Sequence, residues 1–148
     1  MAGWRLRRAK QSDAGGLAAC IDAAYAPYAA RLPDLPDVSA DIAEEIARHQ
    51  VWVVELDATI IGGLVIIPEP GFMLLANVAV HPKHAGAGLG RALLELAETQ
   101  SLDQGYRELR LTTHVDMPDN VRLYKHLGWS EIQREGNKVS MKKLIGRL

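Results

Sequence analysis

Between Asn77 and Glu98 the sequence reads NVAVHPKHAGAGLGRALLELAE, and this stretch restricts the fold more tightly than any other. An apolar, β-prone run stops at Pro82, glycines fall at alternate positions, and an amphipathic helix follows at once. Gly86, Gly88 and Gly90 carry no Cβ, so the backbone is free to turn successive N–H groups toward one point. A helix beginning near Leu89 adds unpaired N–H donors and the positive end of its dipole. Together they make a main-chain anion site suited to phosphate or pyrophosphate.

Two familiar phosphate loops fail on specific residues. A nucleotide-hydrolysing P-loop requires Lys and Ser/Thr after its last glycine, but Arg91 and Ala92 follow Gly90. A dinucleotide fingerprint counted from Gly86 requires a third glycine where Arg91 stands. The pattern V-x-P-x-x-x-G-x-G-x-G before a helix instead resembles the acyl-CoA loop of the GNAT N-acetyltransferases. A second motif supports the resemblance: Asn120, Tyr124, Gly128 and Trp129 in NVRLYKHLGW match a family pattern of Asn, Tyr four residues on, then Gly and an aromatic. Asn120 and Tyr124 share one helix face, and Pro118 and Gly128 punctuate a short helix between them. Taken alone, Tyr124 reads equally as a packing residue.

The resemblance runs from Trp4 to about Leu144 and implies acetyl-CoA as donor. By that likeness the main chain of Val78, Ala79 and Val80 borders the pantetheine arm. Backbone groups from Ala85 through Gly86, Ala87, Gly88, Leu89 and Gly90 to Arg91 hold the pyrophosphate. Asn120 also faces the pantetheine arm, and Tyr124 is the acid that protonates departing CoA. The side chains of Val78 and Val80 are expected in the core. The chain departs from the family at Ala85, where Gln or Arg is common; Lys83, His84 and Arg91 supply positive charge nearby. Asn-Val-Ala-Val before the loop also resembles ribosomal-protein N-terminal acetyltransferases.

A chain of 148 residues, 48% hydrophobic and 24% charged, is expected to form one globular domain over residues 1–148. A net charge of −1 and the lack of a basic block point away from nucleic acid. Arg5, Arg7 and Arg8 read as the solvated face of an edge strand. Cys20 is the lone cysteine, set in an apolar helical stripe, and the five histidines are dispersed without metal-ligand spacing. No segment reads as a signal peptide or a membrane span, so a cytoplasmic protein without membrane partners is expected.

Periodicity gives the element order β-α-α-β-β-β-α-β-α-β-β. The first strand covers Trp4–Ala9, and Ser12 caps a helix from Asp13 to about Tyr25. A proline-punctuated loop follows, then a helix over Ser39–His49 with Ile42, Ala43, Ile46 and Ala47 on its apolar side. Strands follow at Val51–Leu56, Ile60–Ile67 and Met73–Val80. A long helix stops at Gly105, and a strand over Arg107–His114, the motif helix over Asp119–Leu127 and two closing strands complete the chain. This is an α+β chain, and the order matches the GNAT fold. That fold implies a mixed sheet of about seven strands, a splay between the fourth and fifth strands, and about four flanking helices. Closing strands near Trp129 are the expected contact of a homodimer.

The resemblance also implies the chemistry. A neutral amine attacks the thioester in a ternary complex, and a main-chain N–H near Val78 receives the oxyanion. Histone-type relatives carry a basic carboxylate on the fourth strand where Leu74 stands here. Glu69, His81, His114, Asp116 or water remain as the general base. Tyr25, Tyr28, Arg31, Asp34 and Asp37 flank the expected acceptor region and suit an amino-acid-like molecule or a polyamine; Asp34 and Asp37 read equally as turn residues. A small-molecule primary amine is the expected acceptor. The alternatives are a protein N-terminus or lysine, or a non-catalytic acyl-CoA-binding module.

Overall fold

A computed structural model describes residues 3–29, 41–114 and 118–146. The order of elements is the one expected. β1 (Arg5–Arg8) leads through a 3-10 turn (Gln11–Asp13) into α1 (Ala14–Ala29), followed by α2 (Ile42–Arg48). β2 (Gln50–Leu56), β3 (Thr59–Glu69) and β4 (Phe72–Val80) precede a second 3-10 turn (Pro82–His84) and α3 (Leu89–Asp103). β5 (Glu108–His114), α4 (Pro118–His126), β6 (Ser130–Glu135) and β7 (Lys138–Leu144) finish the chain. The strands form an open, mixed, seven-stranded sheet in the order β1-β2-β3-β4-β5-β7-β6. β4 and β5 run parallel, as a strand–helix–strand crossover requires.

The fold comprises two compact units, one of Met1–Ile66 with Asn77–Leu96, the other of Ile67–Ala76 with Ala97–Leu148. In the first, β2 and β3 form a hairpin whose turn places Asp57 (φ 49°) and Ala58 (φ 63°) in the left-handed region. Two successive positive φ angles match the right-handed twist of the flanking strands. Leu17 and Ile21 of α1 and Val53, Val54, Leu64 and Ile66 of the hairpin are at most 1% exposed. Gly63 makes this packing possible, because a Cβ there would lie 2.3 Å from Leu17 Cδ1. The second unit is centred on Met73, Leu109, Val139 and Met141, each at most 1% exposed.

Several local expectations are corrected. Ser12 does not cap α1. The Asp13 carboxylate accepts the Lys10 N–H at 2.7 Å, a 3-10 turn precedes the helix, and α1 continues through Pro27. Arg7 is not a solvated strand residue. Its guanidinium holds Asp13 through two bonds of 2.8 and 2.9 Å and donates from Nε to Glu55 at 2.7 Å. That fork holds the Asp13 carboxyl down at about 2 and raises the Arg7 guanidinium in return. Ala43 and Ala47 are exposed, so Ile42 is the residue that anchors α2. Ser39 lies outside the described residues.

Candidate active site

In the first unit, the end of β4 is turned by hydrogen bonds that sequence reasoning did not foresee. His81 donates its N–H to Ile61 O at 2.9 Å, and its Nδ1 accepts the Lys83 N–H at 3.2 Å. Pro82 opens the 3-10 turn, closed by His84 N–H to His81 O at 2.9 Å. Gly86 and Gly88 follow, both at φ +83°, and a Cβ on either would meet nothing within 4 Å. These two positions demand glycine for conformation and leave open space on the side where a side chain would stand. Gly90 differs from them. It lies inside α3 without a positive φ, and its hypothetical Cβ would sit 3.9 Å from Val80 Cγ2. Two glycines rather than three therefore shape the loop.

The Gly88 carbonyl accepts the Ala92 N–H at 3.1 Å, which fixes the first hydrogen bond of α3. The N–H groups from Gly88 to Arg91 precede that ladder and have no acceptor within the helix. Leu89 is 1% exposed, so its side chain belongs to the core and only its backbone is available. Lys83 and Arg91 are exposed beside the loop, and His84 is half-buried. Unpaired N–H donors and the positive end of a helix dipole thus share one stretch of backbone, with Lys83 and Arg91 close to it in sequence. Upstream, Ala79 is the buried residue at 4% exposure, whereas Val78 and Val80 are half-buried rather than core. Asn77 adds a feature not anticipated: its Oδ1 is excluded from solvent and has no hydrogen-bond partner among the described residues. An amide among the apolar alternation of β4 was its signal.

In the second unit, the β4–β5 ladder comprises Met73↔Leu109 and Leu74↔Arg110 among the described residues, whereas β5 pairs with β7 from Glu108 to His114. Beyond Arg110, β5 thus carries backbone groups not taken up by β4. α4 ends as the sequence demands. Gly128 (φ +96°) donates to Lys125 O at 3.1 Å and Trp129 donates to Tyr124 O at 2.9 Å, a Schellman motif. The same bonds bring the Tyr124 and Trp129 rings edge to face at 5.6 Å between centroids. Trp129 is 4% exposed, so it supports Tyr124 and is withdrawn from any association surface. Asn120 lies on α4 one turn before Tyr124; its side chain is outside the described residues, as are Arg31, Asp34, Asp37 and Asp116.

Residues 18–129 match the model of the Acetyltransferase (GNAT) family, spanning the loop, the interrupted ladder and α4. The chain belongs to this family. The family is one of acetyltransferases. It is 31% identical over 88 residues to YjgM of Escherichia coli K12, an uncharacterised N-acetyltransferase, covering 57% of this chain and 53% of that one. It is 36% identical over 64 residues to mouse N-alpha-acetyltransferase 80, covering 43% of this chain and 19% of that protein. The match thus spans about half the length of YjgM and less of the mouse enzyme. Among solved structures, the PaiA N-acetyltransferase of Thermoplasma acidophilum in complex with coenzyme A superposes with a TM-score of 0.83. It is 19% identical, and the superposition covers 96% of this chain and 99% of that one. The ribosomal-protein-S18-alanine N-acetyltransferase of Escherichia coli gives 0.78 at 18% identity, covering 98% and 96%.

Leu74, where the family resemblance would set a base on β4, is half-buried and has no ionisable group. His81 is a poor substitute. Its Nδ1 accepts the Lys83 N–H, so the lone pair of the neutral ring is already engaged in the turn. Cys20 is 2% exposed, and burial pushes its thiol up to about 11. Arg7, Asp13, Cys20, Glu55, Thr59 and His81 line a cavity of about 520 Å³ in the first unit, whose guanidinium is already committed to two carboxylates. No group of three His, Cys, Asp or Glu among the described residues is arranged to hold a metal ion. No helix among them is long and apolar enough to cross a membrane.

Proposed function

We propose that this domain transfers the acetyl group of acetyl-CoA to a primary amine of a small molecule, by direct attack in a ternary complex. The observation that carries the reading is the pair Gly86 and Gly88, both at φ +83° with open space where a Cβ would be, leading into the α3 N-terminus. Acetyl-CoA supplies an activated thioester, so the chain needs only to bind it, place an amine and manage protons. Donors from Gly86 to Arg91 hold the pyrophosphate. Main chain at Val78, Ala79 and Val80 lines the arm, and Asn120 extends that contact from α4. Tyr124, steadied by Trp129, protonates the thiolate.

Direct attack, without an acyl-enzyme, is favoured by Cys20. A thiolate is the nucleophilic form, and a buried thiol titrating at about 11 is almost wholly protonated at neutral pH. With Leu74 at the aligned position and His81 engaged as a cap, proton removal from the amine falls to Glu69, His114, Asp116 or water. The test has two stages. Acetyl-CoA should raise the melting temperature where ATP and NAD do not, because only a ligand of the native state stabilises it. Thiol release should then require an amine, with intersecting initial-rate lines when both substrates are varied. Parallel lines would refute the ternary complex, and equal stabilisation by ATP would refute the donor site.

A further inference from the structure

In the second unit the sheet has one buried and one open face. Met73, Leu109, Leu111 and Met141 point to the buried side, none more than 4% exposed. Residues paired in register on adjacent strands share a face. The pairs Leu74↔Arg110, Arg110↔Lys142 and Lys142↔Ser130 therefore draw one row across β4, β5, β7 and β6 on the other side. On this side the Arg110 side chain is 44% exposed, and Ala76 and Thr112 are exposed as well. Arg110 is held in place: its guanidinium stacks 4.3 Å from the Phe72 ring centroid and its Nε donates to Glu108. Lys142 is half-buried and forms no ion pair among the described residues. The row therefore carries two cations and no carboxylate, with Glu108 two residues away on β5.

Its location gives it a role. Leu74↔Arg110 is the final pair of the β4–β5 ladder among the described residues, and the backbone left unpaired beyond it begins at this row. We infer that Arg110 and Lys142 determine acceptor specificity by binding a carboxylate on the amine substrate, so that the preferred acceptor is a small amino acid rather than a polyamine. This rests on the acetyl-transfer reading above. An amine attacking a thioester held at the break in the ladder must come from the open face, because the opposite face is core. Among the described residues, the charged groups of that row are a guanidinium stacked on an aromatic ring and an ammonium without an ion pair. A planar guanidinium matches a carboxylate, and both cations repel a second ammonium on the acceptor. Phe72 and Glu108 hold Arg110 in position before any substrate arrives, so less side-chain freedom is lost on binding.

The test compares acceptors differing only in the anionic group: aspartate, glutamate and β-alanine against their carboxamides, with spermidine as the cationic extreme. The wild type should favour the acid over its amide by on the order of 10-fold in kcat/KM, the scale of one charge-assisted hydrogen bond. Arg110→Gln and Lys142→Gln should each collapse that ratio toward unity, Lys142→Arg should restore it, and Lys142→Glu should invert it. Acetyl-CoA stabilisation of each variant reports that the fold and donor site persist. Spermidine as the best acceptor, or an acid-to-amide ratio unchanged by both glutamine variants, would overturn the assignment while leaving acetyl transfer intact. Failure of every amine to release thiol would overturn acetyl transfer and this assignment together.

Discussion

Replacing Gly88 with valine separates two roles that glycine has in the loop. At φ +83° an L-residue incurs about 1–2 kcal/mol of local strain, the more so when β-branched. No heavy atom lies within 4 Å of the new Cβ, so no clash adds to that cost. The folded protein should survive, losing roughly 2–4 °C in melting temperature per kcal/mol. Binding should suffer far more. The side chain would occupy the open side of the loop that a phosphate must approach, and each lost hydrogen bond to a charged group is worth about 1.5–3 kcal/mol. Affinity for acetyl-CoA should therefore fall at least ~10-fold.

Gly136→Val provides the control. Gly136 sits in the β6–β7 turn at φ +60°, and a Cβ added there would also meet nothing within 4 Å, so it suffers comparable strain away from the loop. Calorimetric titration of acetyl-CoA into both variants, beside their thermal melts, decides the matter. The expected pattern is similar losses of stability and a loss of affinity confined to Gly88→Val. Wild-type affinity in Gly88→Val, or equal affinity losses in the two variants, would refute the placement of the phosphates.

Tyr124→Phe keeps the ring against Trp129 and removes only the hydroxyl; turnover should fall by about 10²–10⁴-fold with acetyl-CoA affinity nearly unchanged, read by chemistry-limited kinetics and titration. Gly63→Ala would push a Cβ to 2.3 Å from Leu17 Cδ1, so urea denaturation should show a loss of about 1–3 kcal/mol from overpacking. Asp13, held down from the usual 3.8 to about 2 by the Arg7 guanidinium, contributes stability that is fully present above pH 4 and is lost as pH falls toward 2. Asp13→Asn should therefore be less stable at pH 7 by on the order of 2 kcal/mol, with the gap from wild type closing between pH 4 and pH 2 in urea melts.

The order of all the regular elements was legible because each boundary carries local chemistry. Gly105 and Gly128 both sit at positive φ just past helix ends, where the sequence requires an L-residue to be absent. Long-range pairings were less legible. Arg7 reads as an alternating surface residue until Asp13 and Glu55 are brought to it, since a strand pattern records which face a residue shares and not what stands above it. Ala43 and Ala47 misled for a related reason: small apolar residues tolerate exposure, so only the branched Ile42 identifies the buried side of α2. The shape of the glycine loop was legible in Gly86 and Gly88, and the end of α4 in Gly128 and Trp129. Arg110 was invisible, because its meaning depends on the row it shares with Leu74 and Lys142 and on where the β4–β5 ladder stops.

That interrupted ladder also bears on how the protein behaves in a crowded solution. β6 is a rim strand, exposed along its whole length, and a rim accepts an extended segment of almost any protein unless charge or a bulge deters it. β6 has both deterrents, in Glu131, Arg134 and Glu135 and in the register shift between Glu131 and Gln133. Residues Leu111 to His114 of β5 are different. Their β4-facing side offers the same donors and acceptors, but the sheet order sets β4 rather than solvent on that side. Hydrogen-bonding capacity and stickiness, which usually accompany each other at a strand edge, are thereby separated. An extended segment joins a sheet at its rim, and β5 offers none, because it lies inside the sheet between β4 and β7.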